Sequence, residues 1–135
     1  MPERKTLEQA RKAKREGKAP STQAGAFVHE EIEHIREGKH GARSTKQAIA
    51  IGLSKARRAG VKLSPPKKGQ ASAETRQSAR RDSRAGQSGH TPSAKRSRAA
   101  LRALKDEPRQ AASHAALSKQ AKTAAARRRR RAPSA

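Results

Sequence analysis

Five consecutive arginines, Arg127 to Arg131, stand close to the C-terminal end of the sequence. Each guanidinium carries a planar fork of N–H donors that matches two phosphate oxygens, and it stays charged at any physiological pH. Contact of all five with duplex phosphates would add roughly −4 to −5 to the slope of log affinity against log salt. Such contacts hold a polyanion without reading its sequence.

A second candidate is the loop Gly38-Lys39-His40-Gly41-Ala42-Arg43, which leads into Ser44 and Thr45. A helix is expected to begin there, and helix N-termini favour acidic neighbours, yet Lys39, Arg43 and Lys46 surround this one. A phosphate at Ser44 and Thr45 would reverse the penalty, because free N–H groups, the helix dipole and the cations would face one anion. The alternative is an ordinary solvated connector. The spacing departs from a nucleotide-binding P-loop, which needs Gly, four residues, then Gly-Lys-Ser/Thr.

The run His29-Glu30-Glu31-Ile32-Glu33-His34 has the residue types of a zinc-protease helix but not its spacing. Its histidines are five positions apart and diverge by about 140° around a helix. They read as polar helix surface with no metal, Glu30 and His34 forming a local pair four residues apart. The sequence has no cysteine and no paired acid, nucleophile or metal constellation. Neither an enzyme nor a cofactor is expected.

The elements that must carry these residues show up in an internal repeat. Arg15-Glu16-Gly17-Lys18 precedes Ser21-Thr22-Gln23-Ala24, and Arg36-Glu37-Gly38-Lys39 precedes Ser44-Thr45-Lys46-Gln47-Ala48. In each copy glycine can close a helix and Ser or Thr can cap the next, with Gln47 completing a capping box at Ser44. Three helices are predicted, about Glu3 to Glu16, Thr22 to Glu37 and Thr45 to Ala59, with Gly60 as a stop. On the second, Ala24, Phe27, Val28, Ile32 and Ile35 share a face, with Glu30, Glu33 and Glu37 opposite and Glu31 inside the apolar stripe. On the third, Ala48, Ile49, Gly52, Leu53, Ala56 and Ala59 share a face that leaves Lys46, Lys55, Arg57 and Arg58 outside.

The predicted fold is mainly α: a helical hairpin or three-helix unit over residues 1–63, its first helix packed loosely, then a largely disordered basic linker over 64–93 and a basic tail over 94–135. Of the 13 larger aliphatic and aromatic residues, ten lie at or before Leu63, so the core belongs there. Short helices are predicted at Ala94 to Lys105 and from about Pro108 to Arg130. Residues 1–63 hold 15 Lys and Arg against 7 acidic residues, and residues 64–135 hold 19 against 4, together giving the net +23.

The stretch Arg36 to Leu63, with Lys46-Gln47-Ala48-Ile49-Ala50-Ile51-Gly52-Leu53-Ser54-Lys55-Ala56-Arg57 at its centre, resembles an uncharacterised family of short, basic bacterial proteins. The resemblance implies a bacterial, helical protein and no particular reaction. In composition the tail is similar to the Ala/Lys/Arg-rich tails of bacterial histone-like proteins. Ser64-Pro65-Pro66-Lys67-Lys68 and Thr91-Pro92-Ser93-Ala94-Lys95 resemble the Ser/Thr-Pro-basic turns of linker-histone tails.

A net +23 on 135 residues repels itself and calls for a polyanion. DNA is the leading expected partner and RNA the second, since the lone aromatic, Phe27, leaves no stacking platform for single-stranded bases. The residues expected to touch phosphate are Lys39, Arg43, Lys46, Lys55, Arg57, Arg58, Lys67, Lys68, Lys95, Arg96, Arg98 and Arg127 to Arg131. A homodimer through the 22–60 helices would shelter a thin core. No signal peptide or membrane span is read, so a cytoplasmic, nucleoid-associated protein is expected. A hydrophilic stress-protective protein, with incidental polyanion binding, is the alternative.

Overall fold

The computed structural model describes residues 2–89 and 93–131, with six α-helices among them. They are α1 (Arg4–Arg15), α2 (Pro20–Arg36), α3 (Thr45–Arg58), α4 (Ala73–Ser88), α5 (Ala94–Lys105) and α6 (His114–Arg131), with a 3-10 turn at Gln110–Ala112.

Local chemistry sets the first three helices within about two residues of the repeat-based reading. Gly17 and Gly38 take φ of +74° and +79°, the left-handed conformation that closes α1 and α2. Pro20 fills the first turn of α2, where its missing N–H costs nothing, and this moves the start ahead of Thr22. At α3, Ser44 Oγ accepts from Gln47 N at 3.1 Å, and Gln47 Oε1 accepts from Arg43 N at 2.6 Å.

Helices α1 to α4 pack in chain order, each against the next, α4 returning to α3 across the turn at 67–71. The apolar stripe of α2 supplies two clusters. Ala24 and Phe27 join Ala10 of α1, Ala56 of α3 and Val61, flanked by Leu7, Leu53 and Leu63. Ile32 and Ile35 join Ala42, Ala48, Ala111 and Ala112, flanked by Val28 and Leu117. The core therefore draws on the C-terminal segment as well as residues 1–63.

Five expectations change. Residues 73–88 of the expected linker form α4, capped by Ser72 Oγ on Thr75 N and closed at Gly89. Its small side chains, Ala79 and Gly86 among them, let it lie close on α3, where a Cβ at position 86 would collide with the Arg57 carbonyl. The helix expected from Pro108 begins at His114, after the 3-10 turn, with Ser113 Oγ accepting from Ala116 N at 3.1 Å. The first helix is docked: Glu30 Oε1 accepts from Glu3 N at 2.6 Å and from Thr6 Oγ1 at 3.1 Å. Glu30 is consequently buried at the positive end of α1 and does not pair with His34. The apolar faces of α2 and α3 that were read as a dimer contact are covered within the chain by α1, α4 and residues 111–117.

Candidate nucleic-acid interface

The predicted phosphate-binding cations divide into two groups. One group is exposed and spread along α5 and α6. Lys95, Arg96 and Arg98 project from α5, whose twelve residues also carry Arg102 and Lys105 and no acidic side chain. Arg127, Arg128, Arg129 and Arg130 are exposed on the last turns of α6, which also carries Lys119 and Lys122 and again no acid. The side chain of Arg131, and the Thr91-Pro92 turn, lie outside the described residues. Lys67 and Lys68 are exposed in a tight turn closed by Lys67 N donating to Gln70 Oε1 at 3.0 Å. Arg43 and Lys46 are exposed beside the start of α3.

The second group is bonded to other parts of the chain, whether exposed like Arg58 or buried like Arg57. Lys55 Nζ donates to Glu31 Oε1 on α2. Arg58 Nε donates to Asp82 Oδ1 at 2.9 Å, while Ser54 Oγ donates to Asp82 Oδ2 at 2.7 Å, so one α4 carboxylate ties α3 to α4. Arg57 is buried and donates to the Ser64 carbonyl at 2.9 Å. Burial pushes its guanidinium below the ordinary arginine value against the pull of Asp82. Periodicity placed Arg57 outside the apolar face, and α4 then covers that side.

The N-terminus of α3 is also occupied. The Thr45 hydroxyl donates to the Ala111 carbonyl, and Thr45 is buried. Gly41 N donates to the Leu104 carbonyl at 2.8 Å and Ala42 N to the Pro108 carbonyl at 2.9 Å. Arg109 Nε donates to the Ile35 carbonyl at 3.3 Å and its terminal nitrogen to the Arg36 carbonyl, capping α2. Residues 104–111 thus bond to Gly41, Ala42 and Thr45 beside the expected phosphate position, with Ser44 spent on its own cap.

Lys39 lies across Glu3 and Glu37, 3.5 and 3.2 Å from their carboxylates. The Glu37 hydrogen bond, aided by Glu3, raises its ammonium above the usual lysine value. Glu3 is lowered chiefly by its hydrogen bond from His34, at 3.0 Å, with Lys39 assisting. Beneath this loop His40 is buried, a feature sequence spacing missed because its partners come from α2. The ring lies 3.1 Å from Glu31, and meets the His34 ring edge to face at 6.2 Å.

Residues 4–68 match DUF6496, a family of unknown function. The DUF6496 match takes in α1, α2 and α3, including the Arg36 to Leu63 stretch already read as family-like, and ends before α4. The charged helices α5 and α6 therefore lie outside the DUF6496 segment, although residues 104–117 pack on it. No curated protein and no solved structure matches the chain. No helix among the described residues is long and apolar enough to cross a membrane.

Proposed function

We propose that the protein binds DNA through its phosphate backbone, without catalysis and with little sequence preference, in the manner of a nucleoid-associated, histone-like protein. One observation supports this reading most strongly: α5 and α6 together carry twelve Lys and Arg residues and no carboxylate. Cations placed this densely, exposed and free of ion pairs among the described side chains, gain most by displacing the counterions condensed on a duplex. A docked helical unit bearing two basic arms meets the need of such a binder. RNA is the second partner by the same chemistry.

The test is binding to a labelled duplex across a salt series, comparing wild type with Arg127 to Arg131 all changed to Gln. The expected result is a salt slope shallower by about 4 to 5 in the variant. An unchanged slope overturns the role given to α6. Binding already absent at about 150 mM salt favours the stress-protective reading instead. Neutralising side chains is preferred to cutting the chain at Leu63, because Ala111, Ala112 and Leu117 belong to the core.

A further inference from the structure

We propose that Glu31, His34 and His40 form a binding site for one divalent transition-metal ion, with Zn²⁺ the best match to the donor set. Glu31 and His34 are three residues apart on α2 and therefore share a face. His40 arrives from the loop that follows. One carboxylate oxygen and one nitrogen from each ring lie within 4.8 Å of one another. A tetrahedral ion with bonds of about 2.0–2.2 Å needs donors about 3.3 Å apart, so a small side-chain rotation closes the set. The pair His40 Nε2 and Glu31 Oε2, at 3.1 Å, already has that spacing.

The detailed hydrogen bonding independently points to a cation. Glu31 is fully buried; its Oε1 accepts from Lys55, and its Oε2 makes no hydrogen bond although His40 Nε2 lies 3.1 Å away. His40 Nδ1 lies 2.8 Å from the Gly41 carbonyl, which can only accept, so Nδ1 carries hydrogen and donates. That fixes Nε2 as the nitrogen facing the orphaned oxygen. A ligating histidine whose other N–H is held by a carbonyl or carboxylate is the usual outer arrangement of a zinc site. His34 is oriented in turn by Glu3, whose Oε1 lies 3.0 Å from His34 Nε2.

The surrounding charge suits a dication. Glu3, Glu30 and His34 also place donor atoms within 4.8 Å of one another, and the buried Glu30 Oε2 likewise lacks a donor. With Glu31 and Glu37, these carboxylates offset Lys39, Lys55 and the ion. Two imidazoles favour Zn²⁺ over the oxygen-seeking Mg²⁺ and Ca²⁺. Three protein donors leave a fourth position for water. The ion would pin the 38–44 loop to α2, and through Gly41 and Ala42 the segment 104–108 with it.

The experiment titrates Zn²⁺ into untagged, chelator-treated full-length protein by calorimetry, and follows Co²⁺ by visible absorption. One equivalent of Zn²⁺ is expected, together with a Co²⁺ spectrum of four- or five-coordinate nitrogen and oxygen ligation. His34→Gln and His40→Gln should each weaken binding by at least about 10-fold, while His29→Gln, at an exposed position outside the cluster, leaves it unchanged. Because His40 is buried and its replacement can unfold the loop, His34→Gln and Glu3→Gln serve as the milder variants, checked for helicity by circular dichroism. Absence of stoichiometric Zn²⁺ binding by wild type overturns the proposal, as does equal affinity in His34→Gln.

Discussion

Gly52 of α3 faces Val28 of α2 so closely that a Cβ at position 52 would lie 2.6 Å from the Val28 Cα. The contact is with backbone, so the helices would have to part. Gly52→Ala should cost about 1–3 kcal/mol despite the higher helix propensity of alanine. Gly25, inside α2 with nothing within 4 Å of its missing Cβ, is the control. Gly25→Ala should stabilise by about 0.5–1 kcal/mol. Urea denaturation of the two variants checks both signs, and loss of stability at both positions would refute the close-crossing argument.

Leu117 reaches back from α6 to flank Ile32, Ile35, Ala111 and Ala112. Leu117→Ala should destabilise the α2–α3 pair by about 2 kcal/mol, the low end for leucine truncation because the residue is half-buried. Amide exchange read on α2 and α3, 59 or more residues away in sequence, is the measurement. Unaltered protection there would mean that the C-terminal segment is energetically separate.

These two contacts show what the sequence reveals and what it withholds. Gly17, Gly38, Pro20 and the Ser44–Gln47 pair act within a few residues of themselves, so the bounds of α1 to α3 are readable from order alone. Helix α4 hides because it docks through Ala79 and Gly86, leaving no stripe of large apolar residues among its serines and arginines; Ser72 and Gly89 at its ends were the available signal. The buried state of Glu30 depends on the start of α1 arriving beside it, and His40 is paired by α2. Long-range partners of this kind leave no spacing pattern.

Asp82 holds both Ser54 and Arg58 of α3. Asp82→Ala removes both acceptor contacts at once, leaving α4 its small-residue packing and the long contact from Gln87 Nε2 to the Gly60 carbonyl at 3.5 Å. The expected outcome is fast hydrogen exchange along residues 73–88 with α2 unchanged and a global cost of about 1–2 kcal/mol. Slow exchange retained in α4 would show that the packing around Gly86 suffices.

The two groups of cations make opposite predictions for nucleic-acid binding. Arg57 is buried, its Nε has no hydrogen-bond partner, and burial already disfavours its charge. Arg57→Met should therefore leave stability within about 1 kcal/mol of wild type or raise it, since a hydrophobe of similar reach avoids the desolvation cost. DNA affinity and its salt slope should not change. Lys95, Arg96 and Arg98 are exposed on α5, and changing all three to Gln should leave stability intact while reducing the salt slope by about 2.7. Measured side by side, the two variants separate charge that builds the fold from charge offered to a polyanion. A slope reduced by Arg57→Met but not by the α5 triple variant would move the binding surface from the arms to α3.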